Sequence, residues 1–149
     1  MIQGKRRFMR WYMNFWPPFL GSGIHVVRLD SDWRAIDVKM KMRFWNANYV
    51  GTHYGGSLYS MTDPFYMLML IENLGRDYIV WDKAAQIRFR RPGKGTVRAS
   101  FRLTEEQLQE VRDALLTQAR TEPTFLVEVK DEAGDVVAEV QKVLHVRKR

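Results

Sequence analysis

The segment from Ser57 to Leu74 limits the possible folds most, because it predicts a helix that is apolar on almost every side. A helix of that composition is enclosed by other elements over most of its surface. Gly75 suits the C-terminal end of this helix. The rest of the chain must therefore supply a surface that surrounds it. Its large apolar residues are Met61, Phe65, Met67, Leu68, Met69, Leu70 and Ile71.

Strands with alternating polarity are predicted to supply that surface. The clearest strand places charged residues between apolar ones from Ile36 to Phe44. Period-two patterning of this kind indicates one buried and one solvated face, as in an antiparallel sheet. The final two strands flank a turn at 132–135 and predict a hairpin. The other predicted strands are 24–29, 85–89, 97–103, 125–130 and 136–146.

A second helix follows the fourth strand. Thr104 and Gln107 match a capping box, and Leu108, Val111, Leu115 and Ala119 form one apolar stripe, as in a surface helix. Strands and helices do not alternate, so a parallel sheet is not expected. The sequence predicts an α+β fold in which one antiparallel sheet wraps around the central helix. We expect residues 1–149 to form a single domain.

The N-terminal residues 1–20 are predicted to contain an amphipathic helix, most clearly at 5–16. Phe8, Trp11, Tyr12 and Phe15 share one aromatic face. Pro17-Pro18 should end the helix, because proline disfavours helical geometry in the residue before it. We expect the aromatic face to cover the domain's own sheet. The alternative is a weak contact between residues 5–16 and a membrane surface.

Composition excludes several classes of site. The chain has no cysteine, which rules out disulfides, thiolate nucleophiles and zinc–cysteine sites and fits a cytoplasmic protein. No apolar run approaches the ~20 residues that span a bilayer. The net charge of +7 favours anionic partners. Because the arginine-bearing strand lacks interleaved aromatic platforms, we expect no nucleic-acid partner.

The loop from Asn48 to Asp63 carries the candidate chemistry. Gly55 and Gly56 open the central helix, where backbone N–H groups lack intrahelical partners and a carbonyl can approach closely. Such groups stabilise an oxyanion. Asp63 would activate water as a general base, or act as a nucleophile. The alternatives are glycines that permit tight packing, an Asp63 that caps a helix beginning at Pro64, and an Asn48 that binds its own loop.

This loop resembles the phenylacetyl-CoA thioesterase-like branch of the hotdog-fold acyl-CoA thioesterase superfamily. Asn48 stands seven residues before Gly55-Gly56, and Asp63 stands seven residues after Gly56, as in that branch. Trp16-Pro-Pro-Phe19 and Asp63-Pro64 also look like an uncharacterised thioesterase-like subfamily of the same fold. The resemblance implies a curved antiparallel sheet around a long central helix, assembled as a homodimer or homotetramer with the site at the dimer interface.

The same resemblance implies hydrolysis of acyl-CoA thioesters to free acid and CoA. Asp63 would activate the water, the amides of Gly55 and Gly56 would polarise the carbonyl, and Asn48 would orient the substrate. Two departures stand out: Tyr54 precedes the glycines where the branch commonly has histidine, with His53 one place earlier, and Pro64 follows the acid. His53 is a candidate for proton transfer, because its ordinary pKa lies near neutrality.

Substrate binding is assigned to a second group of residues. Cationic side chains near the third strand would bind the phosphates of coenzyme A, which enters only as part of the substrate. Tyr54 and Met67 would contact the substrate, and Met61, Met67 and Met69 would line an acyl tunnel. We expect neither a metal nor a separate cofactor. The cationic residues are Arg88, Arg90, Arg91 and Lys94.

Three alternative functions stay open. The first is a non-catalytic protein that binds or senses acyl-CoA, consistent with the departures at Tyr54 and Pro64. The second is a hydratase or dehydratase on the same fold, although the paired Asp and His on one loop are missing. The third is a membrane-surface interaction protein.

Overall fold

The fold consists of an antiparallel sheet packed against helices, seen in a computed structural model that describes residues 2–149, with side chains from residue 8 onward. The helices are α1 (Ile2–Phe15), α2 (Pro17–Ser22), α3 (Gly55–Ser60), α4 (Phe65–Leu74) and α5 (Glu105–Thr117). The strands are β1 (Ile24–Leu29), β2 (Ala35–Lys41), β3 (Tyr78–Phe89), β4 (Thr96–Arg102), β5 (Arg120–Thr121), β6 (Thr124–Lys130) and β7 (Val136–Lys148).

The sheet has the strand order β1-β2-β4-β6-β7-β3, and β5 pairs with β7. Its pairings are antiparallel, as the alternating patterns predict. The inward face packs on α4, where the Phe65 ring lies 4.8 Å from that of Phe101 and the Tyr66 ring stacks 4.4 Å from that of Phe125. The predicted α+β arrangement around an apolar central helix is therefore confirmed.

The central helix is interrupted. The sequence predicts one helix over 57–74, whereas α3 ends at Ser60 and α4 begins at Phe65. Pro64 precedes α4, and no side chain caps that helix. Proline has no N–H to donate and its ring crowds the preceding turn, which breaks a helix at this point. Asp63 is therefore not the cap of α4, and its side chain makes other contacts.

The N-terminal helix α1 ends before Pro17, as the sequence predicts, and a second short helix, α2, follows it. Pro17 occupies the first position of α2, where a missing N–H costs nothing, and α2 ends at Gly23 with φ of +76°. The expected burial of the aromatic face is wrong: Phe8, Trp11, Tyr12 and Phe15 are all more than half exposed.

The polar residues of α1 explain this orientation. Asn14 Oδ1 accepts a hydrogen bond of 2.7 Å from the N–H of Val26, and Asn14 Nδ2 donates to the carbonyl of Val26 at 3.3 Å. Val26 belongs to the edge strand β1, whose outer backbone groups need partners. Met13 is buried on the same side of α1. Satisfying the edge of the sheet therefore turns the aromatic stripe toward solvent.

The other predicted strands and the second helix are present, but the ends of several of them differ from the prediction. The inward residues of β4 are buried, and the capping box of Thr104 and Gln107 is present. The strand β2 ends at Lys41, so Phe44 is exposed rather than buried. The strand β3 is longer than predicted and lies at the sheet edge, where Phe89 is exposed. No helix among the described residues is long and apolar enough to cross a membrane.

Candidate active site

Asn48 organises its own loop. Its Oδ1 accepts hydrogen bonds from the N–H groups of Val50 (3.1 Å) and Thr52 (2.9 Å). Its Nδ2 donates to Thr52 Oγ1 at 2.9 Å and to the carbonyl of His53 at 3.3 Å. Both ends of the amide are thus occupied within the loop, which matches the alternative in which Asn48 is a loop residue.

His53 attaches this loop to the turn before β4. It is buried, and its N–H donates to the carbonyl of Gly93 at 2.9 Å. Its Nε2 lies 2.8 Å from the carbonyl oxygen of Gly95. A carbonyl can only accept, so Nε2 carries a proton and donates it to that oxygen. Nδ1 is buried and has no hydrogen-bond partner among the described residues.

Gly55 and Gly56 begin α3, with Tyr54 preceding them. Within the described part of the chain, the N–H groups of Gly55 and Gly56 meet no acceptor. The ring of Phe89 covers Gly55 so closely that an added Cβ would lie 3.1 Å from it. The tight packing expected as an alternative is thus present at Gly55, and it coexists with an unused N–H group.

A cleft of about 400 Å³ opens beside Gly55, and Gly56 is not among its lining residues. Polar loop groups form one wall, and the end of β3 forms the other. The cleft therefore combines apolar surface with cations at one place. Its lining residues are Asn48, Thr52, His53, Gly55, Leu58, Phe89, Arg90, Arg91, Pro92 and Gly93.

The predicted cationic cluster is divided. Arg90 and Arg91 line the cleft, and each has a surface ion pair of 2.7 Å, with Glu139 and Asp135 respectively. Arg88 lines a different concavity, on the sheet with Gln86, Thr124, Leu126, Glu139 and Gln141. Lys94 is exposed in the turn. Arg90 and Arg91 are thus the members of the cluster that border this cleft.

Two further predicted contacts are not at the cleft. Tyr54 is exposed and its ring lies against Gly56, but it does not line the cleft. Met67 is half-buried and packs on the core, in which Met61 and Met69 are fully buried. The methionines therefore act as packed core residues in this structure.

Asp63 lies in a polar cluster between α3 and α4. Its Oδ1 accepts hydrogen bonds of 2.9 Å from Tyr59 Oη and from Lys142 Nζ. Lys142 is fully buried, and its Nζ also lies 2.9 Å from Asp82 Oδ1 and 3.2 Å from Tyr59 Oη. Asp63 is 48% exposed, and its Oδ2 accepts no hydrogen bond from the described residues.

Burial and charge shape the pKa values of this cluster. Burial alone lowers the pKa of Lys142, but the hydrogen bonds and charges of Asp82 and Asp63 outweigh it, so the pKa is raised. Burial raises the pKa of Asp82, and Lys142 offsets only part of that effect. Burial and the hydrogen bond to Asp63 raise the pKa of Tyr59. Near neutral pH, a cationic lysine and a neutral tyrosine both donate to Asp63.

The sequence analysis missed Lys142, Asp82 and Tyr59. One signal was available for Lys142, because the inward positions of β7 carry Val140, Leu144 and otherwise apolar residues. A lysine at a buried position of an alternating strand is almost never found without a charged partner. That pattern predicts a buried carboxylate nearby, but it does not identify which one.

Within one chain, the predicted catalytic residues form two separate groups. Asn48, His53 and Gly55 border the cleft, whereas Asp63 does not line it. Gly55 begins α3, whereas Asp63 lies three residues beyond the end of that helix. Among the described residues, no group of three or more histidine or carboxylate side chains could hold a metal ion.

Comparison with solved structures identifies the fold. A Pseudomonas aeruginosa protein described as a probable thioesterase has a TM-score of 0.84 at 23% identity, covering 96% of this chain and 95% of that chain. A Haemophilus influenzae thioesterase has a TM-score of 0.68 at 12% identity, over 96% and 90%. The Escherichia coli PaaI protein of the phenylacetic acid degradation operon has a TM-score of 0.65 at 15% identity, over 97% and 94%.

These similarities confirm the predicted hotdog fold and the resemblance to thioesterases of that fold at the level of structure. No curated protein is detectably similar in sequence. A family profile described as a domain of unknown function, DUF4442, matches residues 4–146. Because the match spans nearly the whole sequence, the chain belongs to the DUF4442 family and has the hotdog fold.

Proposed function

We propose that the protein hydrolyses acyl-CoA thioesters to free acid and CoA at a site completed by two copies of the chain. The observation that carries the proposal is the arrangement of Asp63. Its Oδ1 is held by Tyr59 and Lys142, whereas its Oδ2 is open to solvent and can take a proton from water.

Two copies are needed because Asp63 does not border the cleft of its own chain. The cleft of one subunit, with Gly55 and Gly56, would meet Asp63 of the partner subunit. The long strand β3 supports this assembly, since it forms an edge of the sheet and exposes Trp81 and Phe89. An unpaired edge strand is a template for pairing with a second chain. A dimer, or a tetramer built from two dimers, fits this requirement.

The reaction would proceed through a tetrahedral intermediate. The thioester oxygen would accept hydrogen bonds from the N–H groups of Gly55 and Gly56, which polarises the carbonyl. Asp63 Oδ2 would take one proton from water as the water oxygen bonds to the carbonyl carbon. Collapse of the intermediate breaks the C–S bond and leaves the electron pair on the sulfur of CoA. Proton transfer from Asp63 to that thiolate would release CoA and the free acid.

Arg90 and Arg91 would bind the phosphates of CoA at the rim of the cleft. Both are about half exposed, so a phosphate can reach them without entering the core. Guanidinium binds phosphate with two parallel hydrogen bonds. The ligand must compete with Glu139 and Asp135, but exposed ion pairs contribute only about 0–1 kcal/mol. Phosphate contacts can therefore replace them at small cost.

A second candidate is a protein that binds acyl-CoA without hydrolysing it. Two observations favour it. The amide of Asn48 is fully used inside its loop, so it offers no group to orient a substrate. Oδ1 of Asp63 is already occupied by Lys142 and Tyr59, so one carboxylate oxygen is committed to structural contacts. Such a protein would still use the cleft and its two arginines.

Thiol release from a panel of acyl-CoA chain lengths tests the proposal. Asp63→Asn is expected to lower kcat by about 10²–10⁴-fold, the usual contribution of a general base. Asp77→Asn is the matched control, because Asp77 is exposed and lies outside both groups. No thiol release from any acyl-CoA, together with saturable binding of one, would replace hydrolysis by binding.

Subunit mixing tests whether the site is shared. Gly55→Val places a side chain against Phe89 and closes the cleft, and Asp63→Asn removes the base. Neither variant alone should be active. After they are unfolded and refolded together, half of randomly paired dimers contain one intact site of two, so about a quarter of wild-type activity should return. No recovery would show that each subunit carries its own complete site.

A further inference from the structure

The helix α1 has its aromatic side facing solvent. Trp11 lies between Phe8 and Phe15, with ring centroids 6.1 and 5.0 Å apart. Tyr12 lies on the same side, and all four rings are more than half exposed. A continuous aromatic surface of this kind on a protein surface indicates a partner.

The orientation of α1 is held by bonds that a rotation would break. Asn14 binds the N–H and carbonyl of Val26, and Arg10 Nη1 donates to the carbonyl of Val27 at 3.3 Å. Met13 is buried beneath them. Turning the aromatic rings inward would leave the edge of β1 without these partners. The exposed stripe is thus a stable feature of the described structure.

Cations without ion pairs lie beside this stripe. One concavity of about 390 Å³ joins Trp11 and Phe15 to Arg10, and a second of about 580 Å³ shares Asn14 and His25 with it. The second is lined by Lys39, Lys41, Arg43, Trp45 and Arg98, among others.

The sheet register places these cations together. His25, Lys39 and Arg98 are neighbours across β1, β2 and β4. Among the described residues, no carboxylate lies within ion-pair distance of Arg10, Lys39, Lys41, Arg43 or Arg98. Two of these cations also act on His25. Burial lowers the pKa of His25, and the positive charges of Lys39 and Arg10 lower it further.

We propose that this basic aromatic face binds the surface of an anionic phospholipid bilayer. The rings of α1 would enter the interfacial region, and the cations would meet the phosphate headgroups. Aromatic side chains favour that depth, and cations next to a membrane are attracted to an anionic surface. The face consists of Phe8, Trp11, Tyr12 and Phe15 with Arg10, Lys39, Lys41, Arg43 and Arg98.

Charge complementarity separates this partner from a second copy of the chain. A two-fold dimer through this face would bring the same five cations against themselves, which is repulsive. A nucleic acid would satisfy the charges, but the rings of Phe8, Trp11 and Phe15 contact one another and leave no gap between them for a base. An anionic bilayer uses the cations and the apolar rings at the same time.

Vesicle sedimentation tests the proposal, with vesicles of phosphatidylcholine alone and of an equimolar mixture with phosphatidylglycerol. The wild-type protein should bind the anionic vesicles at least about tenfold more strongly, with an affinity that falls as salt is raised. Lys39→Glu/Lys41→Glu and Trp11→Gln/Phe15→Gln should each lower that binding about tenfold or more. Arg76→Glu and Leu116→Gln are the matched controls, because both residues are exposed and line neither concavity.

Several results would overturn the proposal. Equal binding to both vesicle types, or equal loss in the control variants, would remove the role of this face. If Trp11→Gln/Phe15→Gln changes the oligomeric state in gel filtration and leaves vesicle binding intact, the face is an interface between copies. Salt-sensitive binding to an RNA or DNA oligonucleotide without binding to vesicles would identify a nucleic acid instead. The substitutions at Trp11, Phe15, Lys39 and Lys41 lie outside the cleft and the Asp63 cluster, so thiol release should be unchanged and this test is independent of the proposed hydrolysis.

Discussion

Replacing Lys142 by methionine should destabilise the protein by leaving two carboxylates facing each other. Lys142 Nζ lies 2.9 Å from an oxygen of Asp63 and 2.9 Å from an oxygen of Asp82. Those oxygens are within about 6 Å of each other, where two unit charges repel by about 3 kcal/mol at an effective dielectric constant of about 20. Because Asp63 is half exposed, solvent screens part of this repulsion. We expect the free energy of unfolding to fall by about 2–4 kcal/mol near neutral pH.

The loss should depend on pH in a definite direction. The folded-state pKa of Asp82 is raised above its unfolded value, so stability falls as the pH rises through that raised pKa. Removing Lys142 removes the partial offset and enlarges this fall. The destabilisation should therefore be smaller at about pH 5 than at about pH 8. In the wild type, the folded-state pKa of Lys142 is raised above its unfolded value. The stabilisation that Lys142 gives to the folded state therefore persists to strongly alkaline pH and is lost as the pH rises through that folded-state pKa.

Urea unfolding of Lys142→Met at both pH values measures the effect. Lys83→Met is the control, since Lys83 has an exposed ion pair with Glu122 and should cost less than about 1 kcal/mol. Adding Asp82→Asn to Lys142→Met should recover more than about 1 kcal/mol, because the two positions are coupled. The reasoning is refuted if Lys142→Met unfolds at the wild-type urea concentration, or if its loss is the same with and without Asp82.

Three other predictions concern the fold and the cleft. Thr104→Ala should lower the free energy of unfolding by about 1 kcal/mol by removing the cap of α5, whereas Thr104→Ser should not; equal losses in urea would contradict this. Phe65→Ala should cost about 3–5 kcal/mol, because its ring is fully buried; a calorimetric loss below about 1 kcal/mol would count against the packing. Gly55→Ala should slow thioester hydrolysis about tenfold by displacing the Phe89 ring. Adding Phe89→Leu should restore part of the rate, and no recovery in the thiol assay would exclude displacement of the ring as the cause.

Much of the fold followed from local patterns. The alternation in β4 and the capping box of α5 were read correctly, because each depends on neighbouring residues along the chain. The strand predicted over Ile36–Phe44 was too long at its C-terminal end, because β2 ends at Lys41 and the following residues turn into the loop. Alternation by itself does not say where a sheet stops pairing.

The candidate site could be predicted only in part. The spacing of Asn48, Gly55 and Asp63 predicts that the three act at one site, and the structure places Asn48 and Gly55 beside one cleft. The position of Asp63 depends on the break between α3 and α4 and on a lysine 79 residues away. No local pattern relates residues that are so far apart.

The sequence by itself determined the antiparallel sheet and the enclosed apolar helix segment, because periodicity and helix capping act over a few residues. It also determined that the loop from Asn48 to Asp63 carries an amide, a glycine pair and a carboxylate. The tertiary structure decided the rest. Pairing of β7 with β3 brings Lys142 to Asp82, and the segment between α3 and α4 places Asp63 against the same lysine. The edge of β1 turns the aromatic side of α1 outward by binding Asn14. Both outcomes follow from satisfying buried charges and backbone groups that meet only after the strands are in place.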